Sequence, residues 1–510
     1  MPLFSNQERS FVETIGQLAH CNPFLPQRIN LEQQALGAEF DPHLADWNVR
    51  PQGEEDHGNV SRLLERCQSL LDDAKARIDR RRRDLEADLP AYEDLLLMVL
   101  YHRYRSGFDE LIAARGNKAA SGQSSKLYNE FRAAALAYLS GNQWRLPLAE
   151  QLPHLFAGFF QIRRAFANIF QFILGVSRPA VRLRAAVWES IFTYDMRRYR
   201  QGLFARMGDF TTLVTGPSGT GKELVAQAIG LSRYVPFDEK SGKFALDFSG
   251  SFHAMHLAAL SPTLIESELF GHKRGSFTGA IADRQGWLEL CPELGAVFLD
   301  EIGDVDAGIQ LKLLRVLQTR TFSRLGESEL RQFRGKIIAA TNRDLAEEMC
   351  AGRFRQDFYY RLCSDVLEVP SLHARIADNP AELGQLVAHL SERAMGASAN
   401  ALTDEVVKWI DVNLGPGYAW PGNIRELEQC VRNLLIRGSY APARPGVAAT
   451  SDAHELLAAD IAGGRLTADD LLRRYCTLVF ASTGSYEATA RKLKLDRRTV
   501  RAKILGMPLA

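Results

Sequence analysis

The sequence predicts a chain built around one parallel α/β domain, with a mainly α-helical region in front of it and a small all-α domain behind. Three observations predict this. Beyond Asp209, short apolar runs alternate with helical stretches, the texture of a parallel sheet. Residues 1–170 carry apolar positions at helical spacing and no such alternation. Residues 466–510 hold three short helical patterns joined by tight turns.

At 510 residues the chain is too long for one core, and about three domains are expected. Hydrophobic residues make up 46% and charged residues 24%, which excludes a largely disordered chain. The net charge of +1 gives no global sign of a nucleic-acid partner, so that sign must come from a local basic patch. The seven cysteines are scattered without a CxxC pair or zinc-like spacing and read as small buried hydrophobes in a reducing cytosol. The N-terminus lacks a signal-peptide pattern, and no run of about 18 apolar residues occurs. A cytoplasmic protein with no membrane partner is expected.

In the front region, Val60, Leu63, Leu64, Cys67, Leu71, Ala74 and Ile78 mark an amphipathic helix within residues 59–88. Helical patterns continue over residues 95–112 and 127–139, broken by a polar stretch at 116–125. Leu155, Phe159, Ile162, Phe166, Ile169 and Ile173 then alternate steps of four and three. Such a seam fits a dimerising or signal-passing helix, but because it covers fewer than three to four heptads the favoured reading is a helix packed within its own domain. Residues 211–215, 296–299 and 336–340 are the clearest strands. Helical pattern returns over 381–437, and residues 441–465 read as a linker.

Gly216, Pro217, Ser218, Gly219, Thr220, Gly221 and Lys222 follow the first of these strands and lead into a helical pattern, the context of a phosphate-binding loop. Glycines let backbone N–H groups curve around phosphate oxygens, the helix N-terminus adds a favourable dipole, and Lys222 reaches the β and γ phosphates. Glu223 stands where a Ser or Thr usually follows the lysine. The second strand ends in Asp300 and Glu301. Asp300 is placed to hold Mg²⁺ directly or through water, and Glu301 to orient the attacking water. The third strand ends in Thr341 and Asn342, polar groups placed to sense the γ-phosphate or the lytic water.

With these motifs in place, the sequence resembles the sigma-54-dependent activators within the AAA+ ATPases, over roughly residues 172–438 and more loosely in the tail. The most specific element is Glu268-Leu269-Phe270-Gly271-His272 followed by Gly275, Ser276, Phe277, Thr278, Gly279 and Ala280. The second segment resembles the family's GAFTGA loop, which contacts sigma-54; Ser276 replaces its usual alanine. Glycines at both ends would let such a loop rise and fold, with Phe277 and Thr278 at its tip. The resemblance implies that Arg355 and Arg361 act on the neighbouring subunit's nucleotide and that Arg425, in a sensor II motif, reaches the nucleotide of its own subunit. It implies an α/β core over 171–368 and a helical lid over 369–440. His256 stands where the family usually has an asparagine that restrains the catalytic glutamate, and residues 233–251 look like an insertion.

The tail reads as helices over 467–481, 485–493 and 497–505, with Lys494-Leu495-Asp496 as the short turn, the geometry of a helix-turn-helix. It resembles the Fis-type domain of the same family, with Arg497, Arg498, Thr499, Arg501 and Lys503 divided between base edges and phosphates. The expectation is an ATPase that binds ATP and Mg²⁺, assembles from dimer to hexamer, binds double-stranded DNA upstream of promoters and remodels sigma-54 RNA polymerase. A AAA+ remodeller of another DNA or protein complex is the alternative.

Overall fold

The computed structural model describes residues 3–44, 58–80, 87–114, 122–141, 144–246, 251–396, 399–442, 457, 460–461, 466–483 and 485–505. The chain divides into two compact units, Met1–Arg432 and Asn433–Ala510.

The first unit opens with helices α1 (Asn6–His20), α2 (Gln27–Leu36), α3 (Gly58–Arg80), α4 (Leu89–Ala113), α5 (Gln123–Leu139) and α6 (Leu152–Phe172), followed by α7 (Arg178–Phe192). Ser5 starts α1 with a capping box: its hydroxyl accepts from Glu8 N–H while the Glu8 carboxylate accepts from Ser5 N–H. The predicted stripe of α3 is buried at Leu63, Cys67, Leu71, Ala74 and Ile78, in one core with Leu95, Phe131 and Phe156. Of the polar break expected at 116–125, residues 116–121 lie outside the described residues.

The central sheet has strands β1 (Thr212–Thr215), β2 (Phe252–His256), β3 (Ala296–Asp300), β4 (Lys336–Thr341) and β5 (Asp365–Glu368). They pair in the order β5-β1-β4-β3-β2, all parallel. Runs such as Ala296-Val297-Phe298-Leu299 are apolar throughout because helices cover both faces of a parallel sheet. The register sets Thr341 beside Thr215 and His256 beside Asp300, so the chemistry-bearing ends of four strands share one edge. Ligands of open α/β sheets bind outside that carboxyl edge.

The structure decides between the two readings of the α6 seam. Leu155, Phe159, Ile169 and Ile173 are buried inside the unit; Ile169 and Ile173 share a core with Val214 and Val225, below the glycine-rich loop. Gln161 donates to Ser232 O at 2.9 Å and Asn168 to Ser232 Oγ at 3.0 Å, so α6 is fastened to the chain that follows that loop's helix.

The insertion at 233–251 also finds a place, although its residues 247–250 are outside the described set. Phe237–Asp238 pairs antiparallel with Lys243–Phe244. Phe237 enters the front-region core, with its ring centroid 4.8 Å from those of Tyr128 and Phe156. Ser124 Oγ donates to Gly242 O at 2.8 Å, closing the hairpin onto α5.

Beyond the sheet, helices Ala381–Met395, Ala399–Asn413 and Asn423–Arg437 form the helical stretch expected over 381–437. In the second unit, helices Ala468–Thr483, Tyr486–Leu493 and Arg497–Leu505 surround Cys476, Ala490 and Val500. Of the linker expected at 441–465, only 441–442, 457, 460 and 461 are described.

Candidate functional site

The loop after β1 needs backbone that only glycine adopts freely: φ is +141° at Gly216, +78° at Gly219 and +94° at Gly221, which precedes helix Lys222–Gly230. A Cβ on Gly219 would meet Gly422 O at 2.3 Å, so the segment before helix Asn423–Arg437 sits directly on the loop. Asn423 Nδ2 donates to Ser218 O at 2.9 Å, Arg425 N to Gly219 O at 3.3 Å, and Arg425 Nη1 to Ser218 Oγ at 3.5 Å. Arg425 thus stands over the loop of its own chain. Asn423, which the sequence reading did not single out as a clamp, also accepts from Leu372 N–H through its side-chain Oδ1 at 2.9 Å.

Lys222 is buried and donates to Gly216 O at 3.0 Å and Pro217 O at 3.2 Å. Burial pulls its ammonium below the ordinary lysine range, while the Glu301 and Asp300 carboxylates oppose that shift. Thr220 Oγ1 donates to Pro217 O at 2.9 Å, and Glu223 accepts from Gln227 within the helix at 3.3 Å.

Asp300 accepts from Glu301 N–H at 3.1 Å and lies 2.9 Å from His256 Nδ1. The restraint anticipated at residue 256 therefore falls on Asp300, because the β2–β3 register sets these two side by side. Glu301 turns away with φ +55°, and its carboxylate accepts from Asn342 N–H at 3.3 Å. Thr341 is fully buried, and its hydroxyl accepts from Arg343 N–H at 3.1 Å; Asn342 is the exposed member of that pair. Among the described residues no cluster of three or more His, Cys, Asp or Glu side chains is arranged to hold a metal. Carboxylate oxygens at the mouth of a phosphate loop suit Mg²⁺, which is commonly held by one or two carboxylates plus substrate phosphates.

The two arginines are elsewhere. Arg355 is exposed and paired with Asp357 through two bonds of 3.0 and 2.7 Å, while Gln310 Oε1 holds its backbone N–H at 2.8 Å. Arg361 is exposed on helix Gln356–Leu362, with Nε donating to Leu317 O at 3.2 Å.

The segment at 275–280 is folded down. Gly275 N–H donates to Ala280 O at 2.9 Å, and both glycines have positive φ, +80° at Gly275 and +104° at Gly279. Phe277 packs edge-on against His272 with centroids 5.0 Å apart, Ala280 is buried, and Thr278 is exposed. Ser276 Oγ is buried with no hydrogen-bonding partner among the described residues. Lys273 clamps the base through Asp283 at 3.0 Å and Glu327 at 3.6 Å.

In the second unit, Arg497, Arg498 and Arg501 are exposed and Thr499 is half-buried. Lys494 takes φ +55° in the turn, and Asp496 accepts from Arg498 N–H at 2.7 Å. Lys503 is different: it is 11% exposed and bonded to Asp469 of the first of the three helices.

Residues 196–368 match the family model described as the sigma-54 interaction domain. That segment holds the five strands of the parallel sheet complete, together with the glycine-rich loop, as an α/β fold. The chain is 43% identical over 237 residues to the transcriptional regulatory protein ZraR of Escherichia coli K12, a stretch covering 46% of this chain and 49% of that one. It is 42% identical over 226 residues to the Nif-specific regulatory protein of Azotobacter vinelandii, covering 44% and 40%. The match thus spans about half the length of these relatives or less. A solved chain of NtrX from Brucella abortus in complex with ATP gives a TM-score of 0.37 at 23% identity, over 74% of this chain and 81% of that one. Within the matched segment lie the glycine-rich loop, Asp300, Glu301, the 275–280 segment and both arginines; Arg425 and Asn423 lie beyond its end.

Proposed function

We propose that the chain is a sigma-54-dependent transcription activator: it binds upstream DNA, assembles into a ring and couples ATP hydrolysis to remodelling of sigma-54 RNA polymerase in the cytoplasm. The observation that carries this reading is the outward placement of Arg355 and Arg361, engaged with Asp357 and Leu317 O, while Lys222, Asp300, Glu301 and Arg425 gather at one sheet edge. A site whose expected transition-state cations are exposed and bonded to residues outside it is completed by a second copy.

In that assembly the N–H groups of Gly219, Thr220 and Gly221 and the Lys222 ammonium hold the triphosphate, with Pro217, Ser218 and Glu223 shaping the loop. Asp300 is the residue that would hold Mg²⁺, which neutralises phosphate charge when bound. Glu301 aligns and polarises the lytic water, and Asn342 keeps Glu301 in register. A neighbour's Arg355 and Arg361 stabilise developing charge, an effect worth ~10³–10⁵ in rate in related phosphoryl-transfer systems. The segment Gly275, Ser276, Phe277, Thr278, Gly279 and Ala280 is the moving contact with sigma-54. Arg497, Arg498, Thr499 and Arg501 face DNA.

Replacing Thr278 by Ala tests the coupling. ATP turnover should persist while sigma-54 binding and open-complex formation are lost; unchanged transcription would exclude this partner.

A further inference from the structure

A cavity of about 930 Å³ lies in the first unit, lined mainly by α4, α6 and α7, and none of its lining residues belongs to the glycine-rich loop. Its volume falls within the ~300–1,000 Å³ of small-molecule sites. Tyr101, Phe159, Phe166, Phe170, Trp188 and Phe192 supply ring walls. Trp188 stacks obliquely on Phe166 and Phe192, with centroids 5.0 and 4.4 Å apart, so the walls brace one another.

Two features argue that this space is kept open for an occupant. Gly158 lines the cavity from the middle of α6, and a Cβ there would meet nothing within 4 Å. Glycine in a helix interior costs about 1 kcal/mol relative to alanine, so an easily accommodated stabilising side chain is missing where it would intrude on the cavity. The second feature is donor capacity. Trp188 Nε1 and Arg200 Nη1, both on residues that line the cavity, are buried without a hydrogen-bonding partner among the described residues. Each such donor costs ~1–3 kcal/mol unless an acceptor arrives.

Asp94 and Glu93 attract Arg200, but neither bonds its Nη1. Arg28 is bonded to Glu32, and Arg163 holds Asp109 through two bonds of 2.8 and 2.9 Å. Asp94, the buried acid that attracts Arg200, is engaged by Arg197 and lies 3.6 Å from His20. We infer that the cavity is a binding site for a ring-containing organic carboxylate. The rings pack against the aromatic walls, the carboxylate pairs with Arg200, and the Trp188 indole N–H is a second donor.

Calorimetric titration of the full chain with 2-naphthoate and with its neutral counterpart 2-naphthylmethanol tests this without nucleotide, so the outcome is separate from that of the proposed ATPase. Saturable one-to-one binding of naphthoate is expected, roughly tenfold or more tighter than the alcohol, the scale of a charge-assisted hydrogen bond. Arg200→Gln should erase the preference for the anion. Gly158→Leu should fill the space and weaken naphthoate roughly tenfold or more, with thermal stability unchanged or raised because leucine is the better helix former. The inference is overturned if the wild type gives no saturable heat, if the alcohol binds as well as the acid, or if Gly158→Leu binds as the wild type does.

Discussion

His256 Nδ1 stands 2.9 Å from Asp300 Oδ2, across the β2–β3 register, while Glu301 is held separately by Asn342 N–H. The carboxylate proposed to take the cation is thus the one the imidazole occupies. His256→Ala should therefore lower the Mg²⁺ concentration that half-saturates ATP turnover, because a competitor for Asp300 is gone. With the imidazole largely exposed, stability should change by less than ~1 kcal/mol. A Mg²⁺ titration unchanged from wild type would rule out the competition.

Shared sites predict complementation. Arg355→Ala and Arg361→Ala should each bind nucleotide and lose turnover by ~10³-fold or more. Lys222→Ala should be silent for a different reason, having lost its own triphosphate grip. Mixing Arg355→Ala with Lys222→Ala should restore part of the activity, since intact Lys222 of one copy can meet intact Arg355 of the other. Steady-state phosphate release from the mixture decides; no recovery at any ratio counts against sites built between copies.

Lys336 offers a pH signature in the sheet. Burial pulls its ammonium down from 10.5 to about 8, with Asp365 opposing, and its amine donates to Phe210 O at 2.9 Å. Below about pH 8 both folded and unfolded chains hold the proton and the burial penalty is constant. Between there and 10.5 the unfolded chain binds a proton that the folded chain has lost, so this residue's contribution to stability rises with pH. Denaturant midpoints of wild type and Lys336→Met, compared across that window, should shift in favour of the wild type by up to about 3 kcal/mol.

The tail separates two kinds of lysine and arginine. Arg501 is exposed, so Arg501→Ala should weaken DNA binding by about tenfold and, if it meets a phosphate, flatten the salt dependence by about one ion. Lys503, bonded to Asp469, should behave as a packing residue: Lys503→Ala should lower the melting temperature of the tail and leave the salt slope intact. Fluorescence anisotropy over a salt series, beside thermal melts, distinguishes them.

Much of this site was legible because its parts are local. An apolar run ending in glycines or acids defines β1 with its loop and β3 with Asp300 and Glu301, whatever the rest of the chain does. The three tail helices were readable for the same reason, since Lys494 and Asp496 punctuate them at short range. Pairings across long sequence separation were not. The resemblance aimed residue 256 at the catalytic glutamate, and nothing near His256 announces that the register sets it against Asp300 instead; nor could a seven-residue periodicity say whether α6 met a partner or its own core. Likewise, charge alone put Lys503 with its arginine neighbours; only packing against Asp469 sets it apart.

The aromatic hairpin at Phe237 and Phe244 sends a loop from the catalytic half of the chain into the heart of the helical half. Severing the polypeptide ahead of α7 would strip the partners from Phe237, Ile169 and Ser232 at once and leave a greasy scar on whatever remained. The helical front region and the parallel sheet are therefore not detachable modules on a string; they are two parts of one packed unit.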